Sequence, residues 1–235
     1  MIIPGTVTTA AQTGGTVLTV SGHVVEVGSS KLLLCFIVFN NNLLEVVDNI
    51  AWDAAGVNEA MTFLGQSTRT VNDGRIEIWY LKDPTSKTAD ITITLDTALT
   101  ATAGFTAIAV SNTGVEQGAT TFNTVATNND SDTAPTIVVA TVPGERVYGG
   151  LGVEDKDTTE ISVDAPSTEI AETFGGSGGR SMGNSLANRA EVSPNVTIDW
   201  TLIGAENWAT IGVSLRPAPK AVLHPSHGFL GPPYI

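Results

Sequence analysis

Hydrophobic and polar residues alternate along much of this chain, a period of two that is typical of strands in a sheet with one buried face. The clearest case is the segment 75–93, RIEIWYLKDPTSKTADITI, where Ile76 and Ile78 open one alternating run and isoleucines alternate with threonine in the next. Between the runs, residues 82–87 contain a proline that presets φ for a turn and Asp and Ser side chains that bond the local backbone. The segment predicts a β-hairpin.

A second hairpin is predicted towards the end of the chain. Residues 195–203, NVTIDWTLI, and residues 207–217, NWATIGVSLRP, both alternate, and each carries a tryptophan. The intervening residues 204–206, Gly-Ala-Glu, have turn chemistry, so we expect the two runs to pair.

Two other segments, 31–40 and 104–111, are apolar on both faces, which predicts strands in the interior of the sandwich. In residues 43–55 a helical stripe competes, but the β-branched content favours a strand at 46–52. Repeated glycines in the strand predicted at 146–153 indicate a bulge or a close backbone approach. Further strands are predicted at residues 16–20, 24–27, 60–65 and 136–142, and a polar loop at residues 128–132.

Together these segments amount to a dozen or more strands without a clear helix. No linker or shift of composition divides the 235 residues near their midpoint, so one elaborated domain is preferred over two. We predict an all-β fold, a two-sheet antiparallel β-sandwich that is jelly-roll-like and has extended terminal arms. The predicted divisions are an N-terminal arm at 1–14, one sandwich domain at 15–216 and a proline-rich C-terminal arm at 217–235.

The composition narrows the classes of partner. The net charge of -13 opposes binding to nucleic acid, because Lys and Arg must replace the counterions of the phosphate backbone. The longest apolar run, Leu32–Phe39, is much shorter than the ~20 residues of a membrane-spanning helix. The start of the chain lacks the basic and apolar regions of a signal peptide. We therefore expect neither a nucleic-acid nor a membrane partner, and synthesis in the cytoplasm.

The C-terminal arm differs from the rest of the chain. Residues 217–235 hold five of the 11 prolines, and their only charged side chain is Lys220, so they carry +1 where residues 1–216 carry -14. Prolines at this density favour an extended chain that has no core of its own. Such an arm either stays in solvent or docks on a partner by pocket filling and strand addition. We predict docking, through His224, Phe229, Leu230, Tyr234 and Ile235.

Residues 175–179, GGSGG, match the G-x-S-x-G pattern of a nucleophile elbow, and Ser177, Asp199 or Glu206, and His224 follow in the order of a hydrolase triad. The elbow requires a parallel strand before it and a helix after it, whereas the surrounding chain predicts neither. A flexible loop is the preferred interpretation. We predict no catalytic residue and no enzyme, although a pair of carboxylates for glycoside hydrolysis leaves no trace in a sequence.

No metal or cofactor is expected either. Acidic residues at 154–160 could gather around Ca²⁺, but their spacing matches no EF-hand. His23, His224 and His227 lack zinc spacing with the single cysteine, Cys35, which the apolar run around it predicts to be a buried hydrophobic residue.

Four tryptophans, Trp52, Trp79, Trp200 and Trp208, could either form a sugar-stacking platform on one sheet face or lie in the core. Trp79 is out of phase with Ile76 and Ile78. It is therefore predicted to face outward or towards a second layer, as an exposed aromatic residue.

The runs RIEIWYLKDPTSKTADITI, GFTAIAVSNTGVEQ and VTIDWTLIGAENWATIGVSLRP resemble a group of phage and virus-like structural proteins with jelly-roll or related β-sandwich folds, including capsid decoration (cement) proteins. The resemblance spans residues 15–216 and rests on strand patterning and a few aromatic positions. It implies a virion surface protein that forms a trimer or another symmetric oligomer, and it brings no catalytic residues.

The sequence therefore predicts a virion protein that binds the capsid protein and copies of itself, with terminal arms that clamp the lattice. The alternative is a carbohydrate- or receptor-binding sandwich module of a phage tail or fibre, which exposed aromatic residues on a concave face would favour.

Overall fold

A computed structural model describes residues 1–40, 46–68, 74–155, 159–180, 182–190 and 194–219. One three-residue 3-10 helix, Gly178–Arg180, is the sole helix in these ranges, and no helix there is long and apolar enough to cross a membrane. The strands are β1 (Ile3–Val24), β2 (Leu32–Asn40), β3 (Val47–Trp52), β4 (Glu59–Ala60), β5 (Thr62–Thr68), β6 (Gly74–Lys82), β7 (Thr88–Thr113), β8 (Phe122–Asp132), β9 (Thr136–Ala140), β10 (Arg146–Glu154), β11 (Ile161–Val163), β12 (Thr168–Gly175), β13 (Met182–Ala190), β14 (Asn195–Leu202) and β15 (Glu206–Leu215).

The strands form three antiparallel sheets. Seven strands make the first sheet, in the order β4-β3-β7-β2-β6-β5 with β1 paired to β7. Five strands make the second, in the order β12-β13-β10-β15-β8, and three make the last, in the order β11-β14-β9. The predicted all-β class, with antiparallel sheets packed against each other, is confirmed, but three sheets form where two were predicted.

The seven-stranded sheet folds over on itself because its two longest strands bend together. β1 and β7 pair along their whole length, with register shifts on both sides of Gly15. The first part of β7 pairs with β3 and the second part with β2, so the two parts belong to opposing layers. Gly14 allows the bend: its φ is 66°, and a Cβ there would lie 2.9 Å from the carbonyl oxygen of Thr100.

Three hydrophobic cores lie between successive layers. The first fills the folded seven-stranded sheet, the second lies between that sheet and the five-stranded one, and the third lies between the five- and three-stranded sheets. β2 faces two of them, with Cys35 and Phe39 in the first core and Leu34 and Phe36 in the second. All of β2 is buried, which confirms the prediction for residues 31–40, and the strands predicted at 46–52 and 104–111 are also confirmed.

The glycines of β10 let its neighbouring layers approach closely, as predicted. A Cβ at Gly150 would lie 2.6 Å from Cδ1 of Phe36 in the second core. On the opposite face, a Cβ at Gly149 would lie 2.9 Å from Cδ1 of Ile198 in the third core. The absence of side chains at these positions sets the separation of the layers.

The predicted hairpin at 75–93 is wrong in its pairing, although both of its strands exist. β6 pairs with β2 and β5, and β2 lies between β6 and β7. The connection crosses the start of β2, where Nζ of Lys31 donates to the carbonyl oxygen of Pro84 at 2.5 Å and to Oγ of Ser86 at 3.0 Å. The turn residues reverse the chain, but β2, which is apolar from Leu32 to Phe39 and wholly buried, occupies the central position that a hairpin partner would take.

The second predicted hairpin is also wrong. β14 belongs to the three-stranded sheet and β15 to the five-stranded sheet, so Gly204, with a φ of 89°, turns the chain from one layer to the next. Both strands face the third core, where Trp200 and Trp208 are buried. Side chains of both strands therefore pack in the core between their sheets, including these two tryptophans, and the two strands do not pair through backbone hydrogen bonds.

Three further expectations need correction. Residues 3–13, assigned to an N-terminal arm, pair with residues 104–113 as the first part of β1. The strand predicted at 16–20 is part of β1, which continues to Val24, and residues 25–27 of the strand predicted at 24–27 lie outside any strand. Residues 128–132 are not a loop but belong to β8, an edge strand whose outer side tolerates polar residues. The assignment of 15–216 to one domain stays a prediction.

Candidate functional site

The chain leaves the described body at a fixed point. Pro217 forms a bridge with Val115, and the backbone N–H of Ala218 donates to the carbonyl oxygen of Gly114 at 2.8 Å. The predicted docking residues His224, Phe229, Leu230, Tyr234 and Ile235 lie outside the described residues, so their role stays a prediction.

A cleft lies at this point of departure. It has a volume of about 460 Å³ and is lined by Met1, Gly144, Pro217, Ala218 and Pro219, and we call it the terminal cleft. A second cleft of about 250 Å³ shares two of these residues and continues the surface to Ile2, Arg146 and Ala190. The two ends of the described chain therefore border one largely apolar depression.

Exposed aliphatic side chains lie near residues of the terminal cleft. Ile3 is 58% exposed and opens the register of β1 opposite Thr113, and Val142 is 43% exposed in the turn that contains Gly144. Val27 is 93% exposed, and the next residue, Gly28, approaches Thr113. Exposed apolar groups that gather at one end of a protein mark a surface for binding other molecules.

The wall of the cleft is held by a buried carboxylate. Glu145 has a wholly buried side chain that accepts hydrogen bonds from the backbone N–H of Val142 at 3.0 Å and from Nε of Arg216 at 3.2 Å. It also accepts bonds from Oγ of Ser214 and from Nδ2 of Asn123. The side chain thereby joins the turn that lines the cleft to the end of β15.

Replacement of Glu145 by glutamine is expected to lower the free energy of unfolding by about 2 kcal/mol. The amide has nearly the same shape, but it loses the charge and turns an NH₂ donor towards groups that are themselves donors. Urea unfolding followed by fluorescence measures the change. Asp48→Asn, on an exposed side chain of β3, is the control and should change stability by less than about 0.5 kcal/mol. Equal effects of the two substitutions would contradict the anchoring role.

Trp79 is partly buried. Its ring lies 5.4 Å from that of Phe63 in an edge-to-face arrangement, and its indole N–H donates to Oε2 of Glu77 at 2.7 Å. It packs against the first core, on the face of β6 opposite Ile76. It thus faces a second layer, which is one of the two orientations that its phase predicts. Burial raises the pKa of Glu77, although Arg75 and the indole act in the opposite direction.

The other three tryptophans do not belong to a surface platform. Trp52 lies in the first core, and Trp200 and Trp208 lie in the third. Each is buried. The interpretation of these residues as core is confirmed, and a sugar-stacking surface made of all four tryptophans is excluded.

The G-x-S-x-G segment does not have the surroundings of a nucleophile elbow. The strand before it, β12, is antiparallel to β13, and only the three-residue 3-10 helix follows. The backbone N–H of Ser177 donates to the carbonyl oxygen of Thr102, and Asp199 lies on β14, where it accepts from Oγ1 of Thr136 at 2.6 Å. His224 is outside the described residues.

In the part of the chain that the structure describes, no group of three or more His, Cys, Asp or Glu side chains could hold a metal ion. Asp157 of the acidic segment, and His224 and His227, lie outside it. His23 is buried beside Thr8 in the folded sheet, and Cys35 is a free and buried thiol, as predicted.

A polar cleft of about 580 Å³ lies at the outer face of the folded sheet, where no pattern in the sequence indicates a site. Its chemistry comes from Asp53, Lys87 and Asp90, with threonine hydroxyls beside them. Nζ of Lys87 donates to Oδ2 of Asp53 at 2.5 Å, and this bond is the main reason that the pKa of Asp53 is lowered. Small side chains at Ala54 and Ala55 leave the cleft open. We call it the polar cleft.

The residues of both clefts come from distant segments. The polar cleft joins residues 53–55 to 87–92, and the terminal cleft joins residue 1 to residues 144 and 217–219. Neither combination follows from local patterning, because it depends on which strands pair.

A scan against protein-family models, a search of curated proteins and a search of solved structures each found no match to this chain. The resemblance to virion proteins therefore stays a prediction, and the function must be inferred from the geometry of the chain itself.

Proposed function

We propose that this chain is a virion structural protein of the capsid decoration type, which binds the outer capsid lattice and stabilises it through its oligomerisation and its C-terminal segment. The observation that carries the proposal is the apolar end of the body, where the terminal cleft and exposed aliphatic residues meet the start of residues 217–235. N-terminal residues 3–13 are part of the body, so the proposed arm is the C-terminal one.

The architecture of the body suits a purely structural task. Three cores in successive layers bury large side chains, among them Phe36, Phe105 and Trp200. Such layers produce a stiff unit, because closely packed interiors resist deformation. A stiff unit can hold the separation between neighbouring capsid subunits.

The test is whether the protein occurs on particles. Antibodies against the recombinant chain are used for immunogold labelling of virions purified from the organism that carries the sequence, and copies per particle are counted by quantitative mass spectrometry. We expect labelling of the outer head surface and a copy number in a simple ratio to the capsid protein. A protein confined to the soluble fraction as a monomer would overturn the proposal.

The polar cleft favours a second candidate function, binding of a carbohydrate in a tail or fibre protein. Asp90 and Asp53 can accept bonds from sugar hydroxyls and the ammonium group of Lys87 can donate to them, while the cleft is open enough for one or two sugar rings. It lies on the layer formed by β3 and the first part of β7, whereas the terminal cleft lies where the second part of β7 ends.

Titration with glucose, galactose, N-acetylglucosamine and lactose, followed by amide chemical shifts, tests this alternative. Binding should shift signals of residues 53–57 and 87–92, and Lys87→Ala should weaken binding at least tenfold. Lys82→Ala, at the end of β6 outside the cleft, is the matched control and should bind as the wild type does. Shifts that are absent, or that persist unchanged in Lys87→Ala, would exclude a sugar site there.

A further inference from the structure

We propose that the terminal cleft of one copy binds apolar residues of the C-terminal segment of a second copy, so that neighbouring copies are joined by exchange of residues 220–235. The inference rests on the proposed function and specifies the partner of the arm as another copy of this chain. It assigns Phe229, Leu230, Tyr234 and Ile235 to an apolar receptor that the fold provides.

The receptor is apolar and accessible. Pro217, Ala218, Pro219 and Met1 form the terminal cleft, and Met1 is 90% exposed. An aromatic or leucine side chain that entered the cleft would remove apolar surface on both partners from water, which favours binding. The volume of the terminal cleft, about 460 Å³, is enough for more than one such side chain.

The position of the cleft determines where a segment can begin. The hydrogen bond from Ala218 to Gly114 and the bridge between Pro217 and Val115 fix the chain at the rim of the cleft. Every copy therefore presents its receptor and the start of its segment side by side. This arrangement allows reciprocal exchange between two copies related by a two-fold axis, or head-to-tail exchange around a ring.

The segment is long enough to reach a neighbouring copy. Phe229 is ten residues beyond Pro219, and a chain spans at most about 3.6 Å per residue, so Phe229 can reach no more than about 36 Å from the rim of the cleft. A body of this size has a radius of gyration of about 17 Å. This reach is about twice that radius, so the apolar residues can enter the cleft of an adjoining copy.

The charges favour the same contact. Residues 217–235 carry +1 and residues 1–216 carry -14, so two bodies repel each other while the segment of one is attracted to the body of the other. The segment contains no acidic residue that would oppose this attraction.

Disulfide trapping in the full-length chain tests the exchange. One preparation carries Leu230→Cys and another carries Ala190→Cys, at an exposed residue of the adjoining cleft. The native thiol does not compete, because Cys35 is fully buried and burial raises its pKa to about 12. Mixing the two preparations under mild oxidation is expected to give a disulfide-linked dimer with one chain of each kind. Leu230→Cys mixed with Ala55→Cys, an exposed position in the polar cleft, is the matched control and should give no such dimer.

A chain that carries both Leu230→Cys and Ala190→Cys separates the two directions of docking. Exchange predicts linked dimers and larger species, whereas an intrachain bond in a monomer, or no bond at all, would overturn the inference.

Sedimentation equilibrium should also show self-association at least tenfold weaker in Phe229→Ser/Leu230→Ser than in the wild type. Unchanged self-association would contradict the exchange. Labelling of virions is a separate measurement. If virions are labelled but no exchange occurs, only this inference fails, and if exchange occurs without labelling, the proposed function fails.

Discussion

Replacement of Phe36 by alanine is expected to lower the free energy of unfolding by about 4 kcal/mol, the middle of the range for a fully buried phenylalanine. Phe36 is fully buried in the second core, between the seven-stranded and five-stranded sheets. Its ring fills the space that Gly150 leaves open, so truncation removes contacts with both sheets. Urea unfolding monitored by far-UV circular dichroism and by tryptophan fluorescence measures the loss.

A control and a double-mutant cycle isolate this contact. Val125→Ala, on the partly exposed edge strand β8, should lower the free energy of unfolding by less than about 1 kcal/mol. Gly150→Ala alone should destabilise by about 2 kcal/mol, because its Cβ would overlap the ring of Phe36. In a Phe36→Leu background the smaller side chain makes room, so the two effects should fall short of additivity by about 1 kcal/mol. Strict additivity would show that the two residues do not set the separation of the sheets.

The all-β class and most strand positions could be predicted from the sequence, because strand formation depends on local alternation and β-branched content. β2 is the simplest case, since a strand that is apolar at eight successive positions, 32–39, must be covered on both faces. The close approach at Gly150 was also predictable, because repeated glycines within an apolar strand remove the side chains that would otherwise hold the neighbouring layers apart.

Strand pairing could not be predicted in the same way. A turn signal such as residues 82–87 shows that the chain reverses, but it does not show whether a third strand will enter between the two runs. Here β2 does so, and Lys31 at its start binds the connection. A long strand that bends is equally difficult to predict. In the sequence, Gly14 and Gly15 look like a boundary between two elements, whereas in the structure β1 continues through them from one layer to the next.

The candidate sites were less predictable than the fold. The composition of residues 217–235 indicates a docking segment, but the cleft beside it includes Gly144 and Met1, which become neighbours only after the sheets have assembled. Lys87 ends the predicted turn at residues 82–87, and Asp53 follows the strand predicted at 46–52. Their ion pair depends on the pairing of β3 with β7.

The second large effect is expected on acidification, and it comes from His23. Its side chain is fully buried, Nδ1 lies 3.0 Å from Oγ1 of Thr8, and the ring packs edge-to-face on Trp52 with centroids 5.9 Å apart. Burial lowers the pKa of His23 from its ordinary value of 6.5 to about 4, although the nearby Glu26 raises it in part. The folded protein therefore holds a neutral imidazole at a pH where the unfolded chain is already protonated.

Proton linkage gives the direction of the effect. Above pH 6.5 both states hold neutral His23 and the residue contributes no pH dependence, whereas between pH 6.5 and about 4 the unfolded state binds the extra proton and is favoured. This difference in pKa lowers the free energy of unfolding by about 3 kcal/mol by pH 4, at 1.36 kcal/mol per pKa unit.

His23→Asn keeps a polar group near Thr8 but cannot titrate. The variant should therefore lack the acid sensitivity that comes from His23, while it keeps the part that arises from carboxylates such as Glu26. The difference in unfolding free energy between wild type and variant should shrink by about 3 kcal/mol from pH 7 to pH 4. If the difference in unfolding free energy stays constant with pH, or if the NMR signal of the His23 ring titrates near 6.5, water reaches this ring in the folded sheet. The packing of His23 against Trp52 would then not be a closed part of the first core.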